Sequence, residues 1–174
     1  MREIDVRNCP LNPLTAFSED WMALAAGNEE LGYNAMTVAW GHLGSVWGCG
    51  SHTNRLPTAT CFVRPSRHTK KFMDREEFFT LSHFGREERG ALGYLGSHSG
   101  RDGDKVAAAG LTPVFEDGTV YFAEADVVLV CRKLYAQDLV DEGFADAGLV
   151  EYNYPERDFH TMYIGEIVQV LVRD

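Results

Sequence analysis

The sequence lacks the cysteine and histidine patterns of a metal site, and it lacks a membrane segment. Its four cysteines, Cys9, Cys49, Cys61 and Cys131, form no CxxC pair, and no cluster of histidines and cysteines at metal-ligand spacing surrounds them. We therefore expect no bound metal. No apolar run approaches the roughly 20 residues of a membrane helix, and residues 1–5 are polar, unlike a secretory signal. These absences predict a cytoplasmic chain with reduced thiols and no membrane partner.

Positive charge is also scarce. The chain has 16 Lys and Arg against 26 Asp and Glu, which gives a net charge of −10. Because a nucleic-acid ligand demands a basic face, we expect no nucleic-acid partner. A small anionic ligand in a local basic pocket is still compatible with this balance. With 174 residues, 45% of them hydrophobic, the chain suits one domain over residues 1–174.

Short apolar or alternating stretches, separated by turn residues, dominate the rest of the chain. They predict strands at residues 21–26, 33–40, 58–63, 79–84, 124–135 and 160–172, and helices at 69–78, 86–95, 104–109 and 137–145. Thr69 is the predicted N-cap of the first helix, and the glycine-rich residues 41–50 are predicted as loop or short strand. The pattern favours a mainly β fold with helical insertions, and a barrel rather than a doubly wound sheet.

The first segment with recognisable chemistry spans residues 64–71. It has no acidic residue and four cationic side chains, those of Arg64, Arg67, Lys70 and Lys71. It leads from a predicted strand into a predicted helix, where unpaired backbone N–H groups favour an anion. Arginine forks and the hydroxyls of Ser66 and Thr69 suit a phosphate. A solvated basic turn with a threonine cap is the alternative interpretation.

A second candidate is the Gly/Ser-rich loop at residues 97–105, which opens a predicted helix and ends in Lys105. Such a loop can turn successive backbone N–H groups toward an anion. It is not a P-loop, because the GxxxxGK[ST] spacing is absent. The alternative interpretation is an exposed loop with a helix cap at Asp104.

Three further features can contact a planar ligand. Residues 34–37 open a predicted strand, and their amides and the Thr37 hydroxyl can bind the polar edge of a ring; a core strand is the alternative. Trp40 and Trp47 can stack on a ring, although tryptophan more commonly fills a core. His160 can donate to a ligand or act near a reacting group, or it can be a capping or core histidine.

Four segments in this order, residues 34–41, 62–69, 99–105 and 160–167, resemble one known family. Over residues 21 to 172 the chain is similar to the flavin reductase-like members of the FMN-binding split β-barrel superfamily. The resemblance implies a split antiparallel β-barrel, FMN as cofactor, and a homodimer with FMN near the subunit interface.

The resemblance also implies a role for individual residues. Those expected at the phosphate are Arg64, Ser66, Arg67, His68, Thr69, Ser99, Gly100, Arg101 and Lys105. Those expected along the flavin ring are Asn34, Ala35, Met36 and Thr37. His160 is the implied catalytic residue, near the flavin and nicotinamide.

The implied activity is flavin reduction by NADH or NADPH. No GxGxxG fingerprint is present, and reductases of this family bind nicotinamide without one. Two alternatives stay open. One is a flavoredoxin-type electron carrier that holds FMN tightly and serves a redox partner protein. The other is a non-enzymatic flavin-binding module.

Overall fold

The computed structural model describes residues 1–48 and 55–174. The strands in these ranges are β1 Arg2–Ile4, β2 Met22–Asn28, β3 Gly32–Val38, β4 Gly41–Val46, β5 Leu56–Val63, β6 Phe78–His83, β7 Pro113–Glu116, β8 Thr119–Phe122, β9 Val127–Asp138 and β10 Thr161–Val172. The helices are α1 Thr69–Arg75, α2 Arg89–Ser97, α3 Lys105–Ala108 and α4 Ala147–Asn153, and single 3-10 turns lie at Val6–Asn8, Arg86–Glu88 and Asp141–Gly143. None of the helices in the described ranges is long and apolar enough to cross a membrane.

Eight strands form one antiparallel sheet in the order β3-β2-β6-β9-β10-β5-β4, with β1 added along β10. The central strands β9 and β10 are 12 residues long, and their pairing shifts register at Gly165 and again after Ile167. Such irregularities bend strands, which lets the sheet curl. In the described residues, the end strand β3 approaches β5 without forming a ladder with it. The mainly β fold with helical insertions is thereby confirmed.

Both faces of the curled sheet are covered, and strand β2 shows why. Its alternate residues Met22 and Leu24 enter one buried cluster inside the barrel. Ala23 and Ala25 enter a second cluster under α2, α3 and the β7–β8 hairpin. Because a strand directs successive side chains to opposite faces, two-sided burial requires a continuous apolar run. That requirement explains the unbroken apolar sequence of this strand.

Helix α1 is shorter than the prediction of residues 69–78. It ends at Arg75, and Phe78 opens β6 because that strand pairs with both β2 and β9. The predicted N-cap was also wrong. His68 occupies the cap position, while Thr69 is the first helical residue and is buried. The Thr69 hydroxyl accepts a hydrogen bond from Asn34 instead of capping the helix.

The helix predicted at residues 137–145 was wrong. Gln137 and Asp138 extend β9, because they pair with the start of β10, and a single 3-10 turn follows at Asp141–Gly143. The real helix is α4, where the Asp146 side chain accepts from the Gly148 N–H. Tertiary strand pairing therefore overrode local helical composition.

Strand β4 was predicted incompletely, and β1 and the β7–β8 hairpin were missed. Of the glycine-rich residues 41–50, Gly41–Val46 form β4, and residues 49 and 50 lie outside the described ranges. The β7–β8 hairpin was missed although its turn residues are Asp117 and Gly118, both with positive φ (47° and 74°). An Asp-Gly pair between apolar residues is a strong local signal for such a turn.

Candidate ligand-binding site

Two cavities adjoin at the split between β3 and β5. We call the first the basic cavity; its volume is about 120 Å³. Its polar side chains are cationic, hydroxyl or imidazole, those of Ser66, Arg67, His68, Thr69, Ser97, His98, Ser99, Arg101 and Lys105. No acidic residue lines it among the described residues. The two segments selected from the sequence therefore form the walls of one pocket.

The second cavity, of about 220 Å³, has an aromatic and apolar lining. It is lined by Met36, Thr37, Val38, Ala39, Trp40, Phe62, Arg64, Arg67 and His160. Met36 and Arg67 line both cavities. The two spaces are therefore neighbours, one suited to an anion and the other to a flat apolar group.

Cross-links between the two loops hold the basic cavity together. Arg101 Nη1 donates to the Ser66 carbonyl oxygen at 3.4 Å, so it joins the second loop to the first. Arg67 Nη1 donates to the Gly96 carbonyl oxygen at 3.0 Å, so it joins the first loop to the end of α2. Each guanidinium has five N–H donors, which leaves others for a ligand.

Lys105 is the buried cation of the basic cavity, with 7% of its surface exposed. Its Nζ donates to the carbonyl oxygens of Leu95 (2.9 Å) and His98 (3.0 Å), at the end of α2. Burial, and then the charge of Arg67, lower the pKa of Lys105 to about 8. An ammonium has three donors, so one stays available to an anion. Burial and the charge of Arg101 also lower the pKa of His68, as expected in an electropositive pocket.

Asn34 supports the basic cavity from behind. This side chain is buried, and its Nδ2 donates to Thr69 Oγ1 at 2.9 Å. Gly100 packs directly against it, since a Cβ at Gly100 would lie 2.2 Å from Asn34 Oδ1. Only glycine fits beside the amide without displacing it. Asn34 thus joins β3, α1 and the second loop.

The predicted ring-edge residues on β3 divide between two environments. Asn34 and Ala35, like Gly100, line neither cavity, and the Ala35 side chain enters the core cluster under α2. Met36 and Thr37 line the second cavity, but the Thr37 hydroxyl donates to the Leu92 carbonyl oxygen of α2. What β3 offers a ligand is therefore mainly its backbone and the Met36 side chain.

Arg64 lies beside the second cavity rather than in the basic one. Its Nη1 is 2.6 Å from both carboxylate oxygens of Asp158, and its Nη2 donates to the Asn153 carbonyl oxygen at 2.7 Å. The hydrogen bond from Arg64 lowers the pKa of Asp158. The guanidinium also lies over the Tyr154 ring, 5.2 Å from its centroid. Arg64 is thus held by the chain itself.

His160 is 9% exposed and lines the second cavity. Its Nδ1 is 2.8 Å from the Tyr154 hydroxyl, and its ring centroid is 4.8 Å from that of Trp40. Burial, and then the charge of Arg64, lower the pKa of His160 to about 4. The imidazole is therefore neutral at pH 7 and acts as a hydrogen-bonding group rather than a cation.

Sequence reasoning missed several residues at this site. Ser97 and His98 line the basic cavity and lie within the selected segment 97–105, but neither was among the residues expected at the phosphate. Tyr154 and Asp158 gave no local signal, because they reach the site through α4 and the chain that follows it. No group of three or more potential metal ligands occurs in residues 1–48 and 55–174.

A comparison with protein families finds one match. The family model described as "Flavin reductase like domain" matches residues 49–174. This range contains both loops of the basic cavity and His160, while β2 and β3 precede it. A comparison with curated proteins finds no match.

Solved structures of the same fold come from several bacteria. Flavoredoxin of Desulfovibrio vulgaris (Miyazaki F) is 22% identical with a TM-score of 0.64, over 88% of this chain and 69% of that one. An FMN-binding protein from Thermus thermophilus, with bound p-hydroxybenzaldehyde, is 19% identical with a TM-score of 0.62, over 100% and 83%. The styrene monooxygenase flavin reductase from Pseudomonas putida S12 is 14% identical with a TM-score of 0.60, over 92% and 84%. The predicted split antiparallel barrel is confirmed.

Proposed function

The chain belongs to the flavin reductase like domain family, and from this we propose that it binds FMN, with the phosphate in the basic cavity and the ring in the second cavity. The observation that supports this most is the adjacency of the two cavities across Met36 and Arg67. An acid-free cationic pocket beside an aromatic-lined one suits a ligand with an anionic end and a planar end.

The basic cavity has the donor set that a phosphate requires. Arg67, Arg101 and Lys105 supply charge, and Ser66, Thr69 and Ser99 supply hydroxyls. Hydrogen bonds in which both partners are charged are shorter and stronger than neutral ones. Burial, and then the charge of Arg67, lower the pKa of Lys105, so a bound anion would stabilise its charged form.

The second cavity suits a flat ring with polar edges. Strand β3 ends the sheet, so every second residue along it directs its N–H and C=O away from β2. Trp40 and Phe62 supply apolar surface, and Arg67 places positive charge beside the same space. That charge would favour a ring that becomes more negative on reduction.

As the activity we propose flavin reduction by NADH or NADPH. The chemistry that FMN supplies when bound is the acceptance of a hydride from the nicotinamide. The chain itself would orient the two rings, exclude water with Trp40 and Phe62, and offer the neutral His160 as a hydrogen-bond partner. His160 is the proposed catalytic residue.

An assay of NADH and NADPH oxidation distinguishes a flavin reductase from an electron carrier and from a flavin-binding module. With FMN bound, the reductase proposal expects steady consumption of at least one nucleotide, followed at 340 nm. A carrier of the flavoredoxin type would hold FMN and consume neither nucleotide without a redox partner protein. A bound flavin that no donor reduces would indicate a binding module.

The proposed phosphate site is tested by Arg67→Ala. We expect FMN affinity to fall by about tenfold to a hundredfold, because losing one charge-assisted contact costs about 1.5–3 kcal/mol. Arg86→Ala is the matched control, since Arg86 precedes α2 and lies away from the loop that follows its last turn. The FMN affinity of both variants is measured by the quenching of flavin fluorescence on titration with protein. Equal affinity in the two variants would place the phosphate elsewhere.

A further inference from the structure

The hydrogen bond between Tyr154 and His160 has a defined direction. Tyr154 is 2% exposed, and in the described part of the chain its hydroxyl has one hydrogen-bonding side-chain partner, His160 Nδ1, at 2.8 Å. The distance alone is compatible with either donor, but a buried tyrosine hydroxyl as a rule donates its hydrogen to an acceptor in reach. Burial raises the pKa of Tyr154, so the hydroxyl keeps that hydrogen. Tyr154 is thus the donor and Nδ1 the acceptor.

This direction fixes the tautomer of His160. A neutral imidazole carries one hydrogen, and a nitrogen that accepts a hydrogen bond cannot carry it. With Nδ1 accepting from Tyr154, the hydrogen of His160 resides on Nε2. Because Nδ1 faces Tyr154 and the residue lines the second cavity, Nε2 is the ring nitrogen left for a ligand.

The groups around Tyr154 keep the pair in place. Tyr154 follows the last turn of α4, and its N–H donates to the Val150 carbonyl oxygen at 2.8 Å. Phe159 packs against its ring at 4.8 Å between centroids, and Arg64 lies over the ring. The Arg64 guanidinium is itself held by Asp158. The charges that act on His160 are those of Arg64, Asp158 and Arg67.

We propose that Tyr154 is a positioning residue that holds His160 in the tautomer with its hydrogen on Nε2, so that the second cavity presents a neutral N–H donor to a carbonyl oxygen. The tautomer is a property of the chain alone. The carbonyl-bearing ligand rests on the proposed function, and two sources share that chemistry, the carbonyl groups of the flavin ring and the carboxamide of a nicotinamide.

The tautomer is read from the ligand-free protein by ¹⁵N–¹H correlation of the histidine ring nitrogens at pH 7.5, with His160→Gln to assign the signal. We expect His160 to have its hydrogen on Nε2. In Tyr154→Phe we expect both tautomers, and a pKa of His160 higher by up to about one unit, because the hydroxyl stabilises the neutral ring. Tyr152→Phe, which changes a tyrosine that is 87% exposed, should leave the signal unchanged.

Two results would overturn the positioning role. One is a hydrogen on Nδ1 of His160 in the wild-type protein; this measurement does not depend on the folding of any variant. The other is an unchanged His160 tautomer and pKa in a folded Tyr154→Phe variant.

The donor role is tested on the same signal after adding FMN, and then NAD⁺ to the FMN-loaded protein. A downfield shift of the Nε2 hydrogen with FMN identifies the flavin carbonyl, and a shift only with NAD⁺ identifies the carboxamide. No shift with either, in a sample whose visible spectrum shows bound FMN, would overturn the donor role. A sample that binds no FMN would contradict the proposed function and leave the tautomer assignment standing.

Discussion

At the scale of single residues, we expect Lys105 to link FMN affinity to pH. Its pKa is lowered to about 8 by burial and by Arg67, and a bound phosphate would raise it again. Binding of FMN would therefore take up a proton above pH 8, so affinity should fall as the pH rises from about 8 toward 10. Fluorescence titrations with FMN across that range measure this. The phosphate itself is already a dianion there, since its second pKa is about 6.

Two controls distinguish the effect of Lys105 on FMN affinity from the effects of other titrating groups. Lys105→Arg keeps its charge throughout the range, so its FMN affinity should vary less with pH than that of the wild-type protein. Riboflavin, which has no phosphate, should bind the wild-type protein with little pH dependence. A steep loss of FMN affinity in Lys105→Arg as well would assign the effect to another group.

The sequence predicts these residues only in part. Arg67 stands out because residues 64–71 contain no acid in a strongly acidic chain, and Arg101 and Lys105 lie in the Gly/Ser-rich segment 97–105. The position of Arg64 could not be predicted, because its partner Asp158 is 94 residues away in the sequence. Asn34 was assigned to the ring edge, while the structure shows it bonded to Thr69 behind the basic cavity. Which face of an end strand a polar residue occupies depends on its neighbours in space.

At the scale of elements, a hydrogen bond between β10 and α1 is one of the contacts that hold α1 on the barrel. Tyr163 on β10 is fully buried, and its hydroxyl donates to Asp74 of α1. Burial opposes ionisation of Asp74, but the hydrogen bonds from Lys70 and Tyr163 outweigh it and lower its pKa. This contact helps to keep α1, and with it the loop that precedes it, against the sheet.

We expect Tyr163→Phe to lower the free energy of unfolding by about 1.5–3 kcal/mol, the range for a hydrogen bond to a charged group. Urea denaturation measures the loss. Tyr152→Phe is the control, because Tyr152 is almost fully exposed and should cost nothing measurable. Equal stability of the two variants would mean that α1 is held by other contacts.

Elements with strong periodicity were predictable, and those shaped by distant pairing were not. Strand β2 was predicted at residues 21–26, and both core clusters require its continuous apolar run. The end of β9 was predicted as helix because pairing of Gln137 with Met162 has no local signature. Helix α4 was misplaced for the same reason, and Tyr154 and Asp158 were missed with it.

At the scale of the whole molecule, exposed aromatic residues flank a strand that, within residues 1–48 and 55–174, pairs on one side only. Trp40 precedes and Trp47 follows β4, the second end strand of the sheet, and they are 45% and 47% exposed. Trp47 lies 6.3 Å from Tyr135, between ring centroids. Large exposed aromatics are typical of interface centres. We propose that this surface joins two copies of the chain, with Trp40 bringing the second cavity close to the interface.

Light scattering after gel filtration tests the dimer. We expect a mass of twice 19.4 kDa, and a monomer for the double variant Trp47→Glu, Tyr135→Glu, because two buried charges would oppose association. Tyr152→Glu is the control for an exposed tyrosine outside this surface, and should stay dimeric. A monomeric wild-type protein would contradict the proposal.

The proposed FMN site combines a basic cavity, which a strongly acidic chain builds from two loops, with a neighbouring cavity that suits a planar ring. Titration of the ligand-free protein with FMN and with riboflavin, followed by flavin absorbance and fluorescence, tests it most directly. We predict that FMN binds and that riboflavin binds at least tenfold more weakly, because it lacks the charged contacts. Equal affinity for the two flavins, or no binding of either, would contradict a phosphate site in the basic cavity.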